Sequence, residues 1–291
     1  MTSLLSTLSF NSSLHRHISS SDRPTEDSVH IFWLGQAGFL IDYPDVRIVI
    51  DPYLSDYLAK KYAGKTFSHQ RMMPAPLTAH ELSNIDFVLC THRHSDHMDP
   101  ETLPPLMQHN PDALLIYPAA EEESVNRMGI RPDQRWPVNA GECIELGATV
   151  SCKVIQAAHE LPETDEKGRH RFLGYLLKSK KATVYHSGDC IPYNGLLEEL
   201  LPAHIDLALL PVNGRDDLRR KHNIPGNFHL SEAIDLCENC DIPHLIGHHH
   251  GMFAFNTLSN EEAHSVLGRY QGKVNCRLSR LSTQYVLVSD H

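Results

Sequence analysis

The chain has 291 residues, 41% hydrophobic and 21% charged, a globular balance that excludes a disordered or collagen-like polymer. No apolar run approaches the ~20 residues that a membrane-spanning helix needs, so no membrane partner is expected. A net charge of -10 argues against a nucleic-acid binder, whose first expectation is a broad basic footprint. The seven cysteines are odd in number and scattered, which reads as reduced thiols in a cytoplasmic protein. Cys237-Glu238-Asn239-Cys240 lacks a second pair and reads as buried helix thiols. Histidine is the unusual component, with 21 copies.

Residues 1–28 are serine-rich, with no acid before Asp22, and read as an N-terminal extension ahead of a single domain over 29–291. Residues 4–10 are too broken by hydroxyls for a secretory signal, and no basic region leads them. Strands are predicted over 29–34, 39–41 and 46–50, with Tyr43-Pro44-Asp45 as the turn between the last two. Thr78 and Glu81 form a capping-box pattern that opens a short helix. A buried strand follows over 87–90, and Asp99-Pro100 supplies an N-cap and a first-turn proline for the next helix. Beyond it come a strand over 114–117, a helix over 119–127 and a β-rich stretch over 143–158. A hairpin is predicted from 172–177 and 182–186. Strands at 207–212 and 244–247 then alternate with helices near 196–201, 231–238 and 261–270. The pattern is α/β, in two halves that each run from a β-rich block into strand–helix units. Such halves can pack sheet on sheet with helices outside.

The segment His92-Arg93-His94-Ser95-Asp96-His97 directly follows the strand at 87–90. Residues two apart on an extended chain project together, so His92 and His94 form one pair of ligands. Asp96 and His97 form a second pair as the chain turns towards the following helix. The donors are nitrogen and oxygen only, a set that suits Zn2+, Mn2+ or Fe without choosing among them.

This H-x-H-x-D-H segment resembles the signature of the metallo-β-lactamase fold. The resemblance implies a four-layer αββα sandwich, two mixed sheets face to face with helices outside. It implies that Asp51 supports the metal loop and that His159, Asp189 and His249 complete the ligand set with His92, His94, Asp96 and His97. His248 and His250 flank His249, so the register of that last ligand is open. Two divalent ions are implied, Mn2+ or Zn2+ with iron behind them. They would share a water whose pKa falls from ~15.7 to near 7. Asp189 would bridge the ions, and Asp96 would orient the nucleophile or shuttle its proton, making these two the catalytic carboxylates.

Segments 33–41, 211–216, 223–227 and 249–253 further resemble the branch that contains L-ascorbate-6-phosphate lactonase. That resemblance implies manganese, assembly as a homo-oligomer, and a lactone or ester of a small anionic, phosphorylated, sugar-derived substrate. Arg215 lies in a glycine-containing turn at a strand end, where loops usually meet ligands. Asn213, Arg215, Asn227 and His250 are therefore the expected substrate contacts, while Arg219, Arg220 and Lys221 read as the solvated face of a helix. A phosphodiesterase of the same fold and a non-catalytic metal-binding relative are the alternatives.

Overall fold

The protein is described by a computed structural model covering residues 3–20 and 23–289. Elements are numbered in chain order. The first sheet holds β1 (Ser3–Ser9), β2 (Ser28–Gly35), β3 (Gly38–Asp42), β4 (Arg47–Ile50), β5 (Phe87–Leu89), β6 (Leu114–Pro118), β7 (Arg135–Val138) and β15 (Thr283–Ser289). Their spatial order is β1-β15-β2-β3-β4-β5-β6-β7, antiparallel as far as β4 and parallel from there to β7. The second sheet repeats the plan with β8 (Cys143–Leu146), β9 (Val150–Gln156), β10 (Leu173–Lys178), β11 (Thr183–His186), β12 (Leu207–Pro211), β13 (His244–His248) and β14 (Asn275–Leu278). Strands β8 to β11 run antiparallel and β11 to β14 parallel. Both sheets are therefore mixed, as expected.

Strand alternation assigns the layers. Ile31 and Trp33 of β2 point inward, and with Phe39, Ile48 and Leu89 they meet Val154, Leu173, Tyr175, Val184, Leu209 and Ile246 of the facing sheet. The alternate residues Phe32 and Leu34 point outward, onto Leu14 of α1 (Leu14–Ser20), Leu103 and Leu106 of α3 (Leu103–His109) and Val125 of α4 (Glu122–Arg127). On the far side, Tyr185, Ala208 and Leu245 pack against α5 (Leu196–Leu200), α7 (Leu230–Asn239) and α8 (Asn260–Arg269). Both faces of each sheet are covered, which is why these strands read as continuous apolar runs. The four layers are helix, sheet, sheet, helix.

Several elements differ from expectation. The segment read as an extension supplies edge strand β1 and helix α1; Leu5 and Leu14 are buried, and His244 Nε2 donates to Ser3 O at 2.9 Å. The helix expected at Asp99 begins later, at Leu103, because Asp99 caps a preceding turn by accepting from Glu101 N and Thr102 Oγ1. Short α2 (Tyr57–Lys61), β7, β14 and β15 were not foreseen. Proline in β7 sits where it is tolerated, on an edge strand. Cys237 and Cys240 are buried free thiols at the end of α7. Among the described residues no helix is long and apolar enough to cross a membrane.

Candidate metal centre

The site gathers at the carboxyl ends of strands from both sheets, the end where open α/β sheets usually bind ligands. Asp51 follows β4, His92 to His97 follow β5, His159 follows β9, Asp189 follows β11 and His249 follows β13. Gly188 brings Asp189 into place with φ +61. A Cβ there would lie 2.7 Å from both Leu173 O and Thr91 Cβ, so only glycine allows this close approach.

His92 Nε2 and His94 Nδ1 are 2.9 Å apart, and His159 completes a first cluster of three imidazoles. Asp189 Oδ2 lies 3.3 Å from His97 Nε2, 3.2 Å from His159 Nε2 and 3.3 Å from His249 Nε2. Asp96 Oδ2 is 3.6 Å from His249 Nε2 and 3.8 Å from His97 Nε2, which makes a further cluster of these three residues. Three of the opposite ring nitrogens are tied down. His97 Nδ1 donates to Asp51 Oδ2 at 2.7 Å, and His159 Nδ1 donates to Gly226 O at 2.8 Å. His92 Nδ1 donates to Thr91 Oγ1 at 3.0 Å, and that hydroxyl donates to Asp51 Oδ2 at 2.6 Å. These bonds fix the tautomers that leave each Nε2 free to bind a metal.

Charge also points to cations. Burial pushes the imidazoles of His92 and His159 below their ordinary range, and His94 to about 3, so these three are neutral as metal ligands must be. Burial opposes protonation of His97 and His249 as well, but Asp189 and its neighbouring carboxylates carry both upward, His249 to about 9. Burial likewise works against ionised Asp96 and Asp189, yet His97 and His249 hold both carboxyls below the usual range. The metal-free cluster thus keeps two imidazolium protons beside its carboxylates. His97 Nε2 and Asp189 Oδ1 are buried with no hydrogen-bond partner among the described residues. Orphaned buried groups are costly, and divalent cations would satisfy them, so these residues fit the ions that the fold implies.

Of the three consecutive histidines, His249 is the one grouped with Asp96 and His97. Its neighbour His248 stacks on His186 with ring centroids 5.0 Å apart. His250 stacks on Trp33 at 5.3 Å and bonds Ser279 Oγ at 3.1 Å, so it turns away from the cavity instead of contacting substrate as expected.

A cavity of about 690 Å³ opens over the cluster. Its wall carries Tyr62, Phe67, Phe253 and Phe255, and Lys61, Lys65, Arg93 and Arg127 also line it. The expected contacts Asn213, Arg215 and Asn227 are not part of this lining and instead support it. Arg215 grips Glu232 with two bonds, Nη1 to Oε2 at 2.6 Å and Nη2 to Oε1 at 2.7 Å. Asn227 Nδ2 donates to Asn213 Oδ1 at 3.0 Å, and Asn213 Nδ2 donates to Asn256 Oδ1 at 2.7 Å. Only the last of these, Asn256, reaches the cavity. Sequence reasoning missed the aromatic wall and Gln36, whose side chain enters the cluster.

Residues 46–250 match the family described as the beta-lactamase superfamily domain. The chain belongs to this family, and it is a metal-dependent hydrolase of the metallo-β-lactamase superfamily. Over 255 residues it is 26% identical to N-acyl-phosphatidylethanolamine-hydrolyzing phospholipase D 1 of Caenorhabditis elegans, covering 83% of this chain and 69% of that one. Over 194 residues it is 28% identical to a UPF0173 metal-dependent hydrolase of Caldivirga maquilingensis, covering 64% of this chain and 70% of the relative. In fold it is similar to Igni18, a metallo hydrolase from the archaeon Ignicoccus hospitalis. The TM-score is 0.64 at 18% identity, over 91% of this chain and 100% of that one.

Proposed function

We propose that the chain hydrolyses a small anionic ester at a two-ion centre. In this reading His92, His94 and His159 would hold one divalent ion and Asp96, His97 and His249 the other, with Asp189 a carboxylate available to both. The observation that carries it is the convergence of three imidazole Nε2 atoms on one oxygen of Asp189, at 3.2–3.3 Å, beneath a cavity of about 690 Å³. When bound, two divalent ions, Zn2+ or Mn2+, acidify a shared water towards pKa ~7 and polarise the ester oxygen.

The chain's own groups do the rest. Asp96, which lines the cavity beside the cluster, takes the proton of the attacking water and delivers it to the departing oxygen. Asp51 fixes the ring of His97. Lys61, Lys65, Arg93 and Arg127 draw in a negative substrate, and the aromatic wall excludes water around its apolar arm.

The relative named a phospholipase D supports a phosphodiester as the bond cleaved. The resemblance of segments 211–216 and 223–227 to the lactonase branch supports a phosphorylated lactone as the second reading, although Asn213, Arg215 and Asn227 stand behind the cavity wall. An assay of protein loaded with Mn2+ or with Zn2+, alongside Asp96→Asn, separates the two. Release of an aryl alcohol from an aryl phosphodiester by wild type, lost in the variant, supports the first. Opening of L-ascorbate 6-phosphate in place of diester cleavage moves the assignment to the second. Protein that holds both ions and turns over neither substrate rejects both.

A further inference from the structure

Gln36 occupies the turn between β2 and β3, inside the metal cluster and out of reach of solvent, with 0% exposure. Its Nε2 lies 2.8 Å from Asp96 Oδ2 and 3.1 Å from His249 Nε2. The backbone is arranged to aim it there. Gln36 adopts φ +49, a left-handed conformation rare outside glycine, and strain of this kind clusters at functional sites. Its carbonyl accepts from Trp33 Nε1 at 2.9 Å and from His249 N at 3.0 Å, which locks the turn to the strand end that carries His249. The other end of the amide, Oε1, is buried with no hydrogen-bond partner among the described residues.

We infer that Gln36 is a further metal ligand, binding through its amide oxygen the ion held by Asp96, His97 and His249. The inference rests on the two-ion reading of the site. Bonds of ~2.1 Å that meet at right angles place neighbouring ligand atoms about 3 Å apart. The amide end that faces the cluster stands at such separations from two ligand atoms at once. An amide nitrogen has no lone pair to give a metal, and the oxygen has two. In the metal-free cluster the carboxylate of Asp96 attracts the N–H end. A cation between these groups reverses the preference, and a half-turn of the amide exchanges the two ends without changing its shape. Together with Asp189 this gives that ion five protein donors. A carbonyl among them favours harder ions such as Mn2+.

The test is a titration of metal-free wild type, Gln36→Ala, Gln36→Asn and Gln36→Glu with Mn2+ and with Co2+. The readouts are the affinity of each ion, the visible d–d spectrum of bound Co2+, and circular dichroism as a check on folding. The expected result is that Ala and Asn weaken one of the two ions about 10- to 100-fold and leave the other unchanged. The Co2+ absorption of the weakened site should intensify as a donor is lost, and Glu, which keeps an oxygen in place, should restore both readouts. Unchanged affinities and spectra in Ala overturn the inference. So does a Glu variant weaker than Ala, the result expected if Gln36 serves only as an N–H donor to Asp96. Wild type that takes up no ion removes the two-ion centre itself, and the inference with it.

Discussion

Asp51 commits both carboxylate oxygens to the metal loop: Oδ1 accepts from Thr91 N at 2.8 Å, while Oδ2 accepts from Thr91 Oγ1 and His97 Nδ1. An amide at this position keeps one acceptor and presents N–H groups to the other donors. Asp51→Asn is therefore expected to weaken metal binding about 10- to 100-fold with the fold intact, as read by competition with a chromophoric chelator. At this scale the sequence is most informative where spacing alone sets direction. His92, His94, Asp96 and His97 fall within six residues at a strand end, and the structure divides them between adjoining clusters. His249 was harder to read, because His248 and His250 flank it. The strand ends at His248, and His249 turns in with φ +61, a change of direction that no spacing announces. Gln36 carries no charge and belongs to no ligand pattern, and only its distances reveal it.

Helix α6 (Asp217–Lys221) and α7 show why the substrate contacts were misplaced. Arginine in a strand-end turn suits a phosphate, but the fork of Arg215 is saturated by Glu232 on α7, a partner no local pattern announces. Both side chains are partly exposed, at 25% and 28%. Arg215→Ala is expected to lower stability by about 1 kcal/mol and to leave KM for the substrate unchanged, as measured by urea unfolding beside steady-state kinetics. A large rise in KM at unchanged stability would return Arg215 to the cavity. Strands and helices with strong apolar period were legible to within a few residues. Those that were not are short or polar. Helix α2 spans Tyr57–Lys61, and β14 is half-buried along its length.

Across the whole molecule, the two sheets contribute to the site in turn: Asp51, His92, His94, Asp96 and His97 from the first, His159, Asp189 and His249 from the second. Ions bound here join the two halves, so chelation should lower Tm. Metal at 100 times its Kd stabilises by about 2.7 kcal/mol. The pH dependence follows from the protons that His97 and His249 hold in the metal-free site, His249 up to about 9. Those protons must leave before metal binds, so affinity rises with pH and falls on acidification. Calorimetry should show the Tm difference between loaded and chelated protein widening from about pH 6 to about pH 8. A gap that narrows over this range would contradict the assignment of those two imidazoles as ligands. The layered plan was legible because each half repeats antiparallel strands followed by parallel ones; the closure of the first sheet was not. Strand β15 lies between β1 and β2, pairing antiparallel with each, and among the described residues β1 has no other strand neighbour. On the ribosome, β1 therefore waits for a strand that lies far later in the chain. Until Thr283–Ser289 emerges, the outer edge of β2 stands open to pairing with any passing chain.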